Sequence, residues 1–328
     1  MSATSISAKF HRPTQWKAIG ITVLIAWAFS LGIIYGVAEY GIALFFVLPF
    51  LFGFVPVTLY GYKQPISLGK SIWLGVDTLL VYAIGLIVFA IEGLICIVMC
   101  LPIAALAGLL GSYVGFKLLP IQQRLSPSQS TLSVSLVVAL VPMMVLLEGH
   151  PEPDLEHVST SIIIDATPEE VWPHIIEFPP LEEPTELIFR AGIAYPTDAQ
   201  MIGRGVGAVR HCNFTTGSFV EPITHWEAPH RLAFSVEEYP EPMKEMSFYD
   251  LDAPHLHDYF VSKQGQFELK ALPDGRTELI GTTWYYHNIR PAGYWQLWSR
   301  YLLHTIHRRV LNHVKANVEA NITAPPAP

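Results

Sequence analysis

Gly205–Trp226, GVGAVRHCNFTTGSFVEPITHW, decides the fold of half of this chain. Two runs of strand-forming residues, Gly205–Phe214 and Gly217–Trp226, flank Thr215-Thr216 and read as a β-hairpin. A two-residue turn there sets Arg210 opposite Glu221 and Cys212 opposite Phe219. Gly203-x-Gly205-x-Gly207 opens a strand rather than following one into a helix, so it is no dinucleotide fingerprint. Upstream, His157–Asp165 (HVSTSIIID) reads as a strand that runs straight into a helix start. Thr167 suits the N-cap, Pro168 the first helical position, and Glu170 completes a capping box. Pro173 kinks or shortens that helix. Downstream, Arg231–Glu237 alternates with Leu232, Phe234 and Val236 on one face. Gln266–Leu272 and Arg276–Tyr286 flank the turn Pro273-Asp-Gly275, and a long helix runs from near Pro291 to about Asn321. Strand, helix, several antiparallel strands and a closing helix imply an α+β domain whose curved sheet wraps the last helix.

These residues resemble a known superfamily. The first strand, Ala166–Trp172 (ATPEEVW), Gly205–Gly217, Glu221–Val236, Gly265–Tyr285 (GQFELKALPDGRTELIGTTWY) and the closing helix are similar to START-like, or SRPBCC, domains. The polyketide cyclase/dehydrase-like group is the nearest in flavour, over about half the chain. The resemblance implies a helix-grip fold and a hydrophobic molecule held between sheet and terminal helix. Some members with this pattern are enzymes, and many only carry or sense a ligand.

The first half is of another kind. Apolar runs at roughly Ala18–Gly36, Gly41–Tyr60, Ser71–Ala90, Gly93–Gly115 and Leu132–Leu147 approach or meet the length a helix needs to cross a bilayer. Lys9, Arg12 and Lys17 precede the first run, Lys63 and Lys70 the third, and Lys117 and Arg124 the fifth, while Glu39, Glu92 and Glu148 mark the other gaps. The positive-inside rule then puts the N-terminus in the cytoplasm and, after five crossings of an inner or plasma membrane, the second half outside. Without the short fifth run, the second half is cytoplasmic. The first run is too long for a signal-peptide core and reads as a retained anchor. The third and fourth runs turn near Glu92-Gly93 or, alternatively, at Cys100-Leu-Pro102. The expected organisation is an α-helical membrane bundle (1–148), a linker (149–156), a START-like domain (157–321) and a tail (322–328).

Residues 1–150 hold 7 of the 20 Lys and Arg and 4 of the 28 Asp and Glu, so the remainder has a formal charge of −11. Such an acidic half excludes nucleic acid, whose phosphates need a basic surface. Gly32-xxx-Gly36 and Gly111-xxx-Gly115 allow close helix approach, within the bundle or as a homo-oligomer face. Asp77 is the one acid well inside a span, and intramembrane carboxylates point by default to an ion or proton path.

On the closing helix a wheel puts Trp295, Leu302, Ile306 and Val310 on the buried stripe, with Ser299, Arg309, His313 and Asn317 on or beside it. His304 and His307 fall on the opposite, solvated side with Arg300 and Arg308, which argues against a metal there; no metal or cofactor is expected. Cavity candidates are Arg210, Glu221, Trp226, Phe234, Trp284, Trp295, Arg309 and His313, either as core and ion-pair residues or as ligand contacts. The long connection Tyr239–His257 carries Met243, Met246, Phe248 and Tyr249, which gate a cavity, touch the bilayer or simply pack on the surface. No nucleophile elbow, P-loop, C-x-x-C or H-E-x-x-H is present. The reading is a membrane-anchored binding protein for a lipid or isoprenoid-like molecule, held or delivered at the bilayer. The alternatives are a cyclase, hydratase or dehydratase using Arg210, Glu221 or His313, and a transporter or sensor whose second half is regulatory.

Overall fold

The computed structural model describes residues 14–62, 64–149, 152–246, 249 and 253–323. Lys9, Arg12 and Lys63, used above for orientation, lie outside them, as does Phe248. The chain divides into two units, Met1–His150 and Pro151–Pro328.

The first unit is helical. Helix α1 (Gln15–Leu31) passes into a π-helix (Gly32–Val37), and a second π-helix (Ala43–Val47) leads into α2 (Leu48–Gly61). Then come α3 (Leu68–Val88), α4 (Leu94–Gln122), α5 (Pro127–Val138) and α6 (Leu140–Glu148). Among the described residues five segments, Gln15–Val37, Ala43–Gly61, Leu68–Val88, Leu94–Gln122 and Pro127–Glu148, are long and apolar enough to cross a membrane. The turn between the third and fourth falls before Leu94, with Gly93 as N-cap, and α4 runs straight through Pro102. The fifth segment starts at Pro127, five residues before the apolar run, because Ser126 and Gln129 form a capping box that begins the helix among polar residues.

Small residues bring α2 and α4 into backbone contact. A Cβ on Gly111 would stand 1.9 Å from the Phe50 carbonyl oxygen, and one on Gly53 would stand 2.0 Å from that of Gly108. Gly115 also faces α2 but less tightly, a Cβ there standing 3.1 Å from the Val57 side chain. Among the described residues nothing lies within 4 Å of that position at Gly32 or Gly36, so this pair makes no close helix contact there. Asp77 is half-buried in α3, beside the buried Thr78 whose hydroxyl donates back to the Leu74 carbonyl.

The second unit opens with β1 (Glu156–Ile164), α7 (Pro168–Ile176) and the single turn α8 (Leu187–Arg190). Strands β2 (Pro196–Ile202), β3 (Val209–Phe214), β4 (Gly217–Glu227), β5 (Arg231–Ser235), β6 (Phe260–Ala271) and β7 (Thr277–His287) follow, and α9 (Ala292–Thr323) closes the chain. The capping box expected at Thr167 and Glu170 starts α7. The seven strands form one antiparallel sheet in the order β1-β7-β6-β5-β4-β3-β2. In a flat sheet its two edges would stand about 29 Å apart, six strand spacings. Yet both edges bond to the same helix. Thr160 on β1 meets His304 Nδ1 at 2.8 Å, and Arg309 Nε donates to the Pro196 carbonyl at the start of β2 at 3.2 Å. The sheet therefore curls round α9, the helix-grip arrangement. Register shifts at Ile223/His225 in β4 and Ser262/Gln264 in β6 are bulges of the kind that sharpen such a curl.

Candidate functional site

The hairpin register is the one read from the turn: Arg210 pairs with Glu221 and Cys212 with Phe219. Cys212 of β3 and Ile223 of β4 join the core between sheet and helices, which includes Ile175, Phe178, Phe234, Phe267, Leu311 and Val314. Arg210 is 2% exposed and ion-pairs through Nη1 with the buried Glu221 carboxylate. Its Nε donates to the Ile176 carbonyl at 3.0 Å, at the end of α7. The rings of Phe178, Phe234 and Phe267 stand 5.4–5.6 Å from the guanidinium carbon, so aromatic faces surround the charge. Burial pushes the Glu221 carboxyl above the usual range, with Arg210 pulling it part of the way back. Burial also works against the Arg210 charge, but Glu221 and Cys212 together outweigh it, and the guanidinium ends above its ordinary value. The same burial pushes the Cys212 thiol up to about 12.

Much of the hollow expected beside this pair is occupied. The inward face of Gly265 is taken by the Phe234 ring, 2.5 Å from where a Cβ would be, and that of Gly281 by Leu311 and Phe267. Phe234 is thus a core residue that also lines the charged pair, and Trp226 packs edge-on against Trp172 at 5.5 Å between ring centres.

The buried stripe of α9 is rotated from the expected one. It runs through Trp295, Ser299, Leu303, Val310, Leu311, Val314 and Val318, while Leu302 and Ile306 are only half-buried. His304 and His307 face the sheet instead of solvent. Thr160 Oγ1 lies 3.1 Å from His307 Nδ1, and Thr283 Oγ1 lies 2.8 Å from His307 Nε2. These two hydroxyls satisfy both ring nitrogens, which lets an imidazole take a core position. Burial, with His304 adjacent, depresses the His307 pKa to about 4.

The other polar candidates on α9 hold the fold together. Arg309 donates to the Pro196 and Glu182 carbonyls and lies 5.0 Å over the Tyr195 ring. His313 bonds Asn317 at 2.9 Å and meets Phe178 edge-on, and burial lowers its pKa. Trp284 sits on the other side of the sheet. Thr283 bonds His307 and Tyr285 packs with Leu303, so the residue between them points away from α9. In the long connection Met243 is buried and bridges to Ile193, whereas Met246 and Tyr249 are exposed. Backbone bonds from Ala194 N to Pro242 O and from Lys244 N to Gly192 O pin it to the segment after α8.

Neither a protein-family model nor a curated protein matches the sequence. Solved structures do. A protein of Nitrosospira multiformis is 19% identical over 52% of this chain and 100% of its own, with a TM-score of 0.34. Norcoclaurine synthase of Thalictrum flavum, in complex with a transition-state analogue, is 9% identical over 53% and 99%, with a TM-score of 0.35. The Zhui aromatase/cyclase of Streptomyces sp. R1128 is 15% identical over 53% and 100%, with a TM-score of 0.32.

Proposed function

We propose that this protein is a membrane-anchored binding module that holds a largely apolar molecule with one polar group, lipid- or isoprenoid-like, and delivers it at the bilayer surface. The observation that carries this reading is the Arg210–Glu221 pair, buried among Phe178, Phe234 and Phe267 in the helix-grip interior. Stability does not call for such a pair, since well-packed apolar residues serve as well or better. A few convergent polar groups in an apolar surround are what recognition of such a ligand uses. Because side chains fill the space beside the pair, a guest enters by moving the wall. The connection after β5 is the part to move, since its Met246 and Tyr249 are exposed. In this reading the first unit spans the membrane five times, with the N-terminus cytoplasmic and the second unit outside. Residues 149–156 act as its linker, and Gly32 and Gly36 are free to face a second copy.

Purification of the full chain in mild detergent, followed by mass spectrometry of extracted small molecules, tests the reading. The expected result is a co-purifying amphiphile that is lost from an Arg210→Leu/Glu221→Leu double variant that still folds. Failure of the wild-type chain to retain or bind any apolar ligand across a broad panel overturns it.

A second reading, an enzyme of the cyclase or dehydratase kind, draws on Glu221, a buried carboxylate held by Arg210 that could serve in acid/base work. Recovery of a converted product rather than an unchanged ligand favours it.

A further inference from the structure

The outer face of the sheet, turned away from α9, carries a cleft of about 260 Å³ lined by Thr224, His225, Arg231, Gln264, Gln266 and Trp284. Strand parity explains it. Leu232 and Phe234 enter the core, so Arg231 and Ala233 point outward; Gly265 and Phe267 face inward, so Gln264 and Gln266 point outward. In register, Ala233 lies between His225 of β4 and Gln266 of β6, and Gln264 pairs with Trp284 of β7. A small residue at the centre of a ring of long side chains makes the floor. Two of the sheet's register shifts, at Ile223/His225 and Ser262/Gln264, fall at this ring.

Three hydrogen-bonding groups of the ring are left open. Arg231 stands in register with Glu227 on one side and Glu268 on the other. Yet Glu227 is 3.3 Å from His225, and Glu268 is 3.5 Å from Lys270. Among the described residues, the Arg231 guanidinium and the Gln264 and Gln266 amides have no hydrogen-bond partner.

We infer that this cleft binds a neutral saccharide ring. Trp284 offers a flat apolar face for the C–H side of a pyranose, and the two amides offer donors and acceptors to its hydroxyls. Arg231 donates to ring or hydroxyl oxygens, and the carboxylates beside it accept from hydroxyls. The volume is below that of drug-sized pockets and suits one monosaccharide. An anionic ligand fits worse, because Glu227 and Glu268 flank the only arginine and the second half is strongly acidic. The site is separate from the interior pair and stands whether or not an apolar guest is bound there.

The test is saturation-transfer NMR on the full chain in a detergent without a sugar headgroup, with glucose, galactose, mannose and N-acetylglucosamine as probes. At least one probe is expected to bind saturably. Arg231→Ala, Gln264→Ala and Ala233→Phe, which fills the floor, are each expected to weaken it about tenfold or more, as is Trp284→Ala. Arg276→Ala, in the β6–β7 turn outside the ring, leaves binding unchanged. Arg231, Gln264 and Arg276 are exposed, so these variants fold even where Trp284→Ala does not. No transfer to any of the four sugars, or equal transfer in the wild type and the Arg231 and Ala233 variants, overturns the inference.

Discussion

Arg210 and Glu221 face each other across one rung of the β3–β4 ladder, and both are buried in the space that α9 closes. On an exposed rung the pair would contribute under about 1 kcal/mol. Its position in the core changes the accounting, because each charge depends on the other to remain in an apolar surround.

Removing one partner therefore strands the other. Arg210→Leu and Glu221→Leu are each expected to destabilise the second unit by about 3–5 kcal/mol, while the double variant recovers most or all of the loss. Thermal or denaturant unfolding of the four proteins in a double-mutant cycle measures the coupling. Single losses no larger than the double loss would mean that the pair is not mutually dependent.

Acid should loosen the grip of α9 on the sheet. The His307 pKa is about 4 in the folded chain against 6.5 ordinarily, because burial beside His304 disfavours its charge. Between those values the unfolded chain binds the extra proton, so stability falls as pH drops from about 6.5 and levels off below about 4. The ceiling on this contribution is about 3 kcal/mol, reduced by the exposure the ring retains. His307→Gln keeps hydrogen bonding without titrating, and its unfolding midpoint should depend less on pH across that window. Identical slopes for wild type and variant would rule out His307 as the source.

Local signals made much of this fold readable. Thr215-Thr216 set the β3–β4 register, Pro273-Asp-Gly275 the β6–β7 turn, and Thr167 with Glu170 the start of α7. What escaped depended on distant partners. His307 is a polar residue on a wheel, and only Thr160 and Thr283, brought up by other strands, make its inward position satisfiable. That substitution of an imidazole for an aliphatic residue hid the true stripe through Ser299 and Leu303. Strand β2 gives no strand signal because Pro196, Asp198 and Gln200 break its apolar alternation, as an edge strand permits. Trp284 reads as cavity lining because aromatic content does not reveal which side of a strand a residue occupies. The open cleft left no motif at all, since its residues come from four strands.

The glycines of the first unit should divide sharply. Gly111→Ala places a methyl group into the Phe50 carbonyl, and backbone cannot yield as a side chain tip can. A loss of about 1–3 kcal/mol or more is expected, seen as a lower melting temperature in detergent. Gly53→Ala, against the Gly108 carbonyl, should behave the same way. Gly32→Ala and Gly36→Ala meet nothing in the bundle and should leave melting unchanged, so any effect on cross-linking between copies would report an oligomer face. Equal destabilisation at all four positions would contradict the packing described.

Orientation can be read with a thiol, but not with the native one. Cys212 is buried behind Arg210 and its pKa is pushed up to about 12, so it should stay silent towards maleimides until the chain unfolds. Asp274 sits exposed in the turn between β6 and β7, where a substitution costs little. In a chain carrying Asp274→Cys, Cys96→Ala and Cys100→Ala, an impermeant maleimide applied to intact cells is expected to label the protein. Labelling only after lysis would put the second unit in the cytoplasm and reduce the number of crossings to an even one. Labelling of Cys212 in the folded protein would show that the core around Arg210 opens on its own.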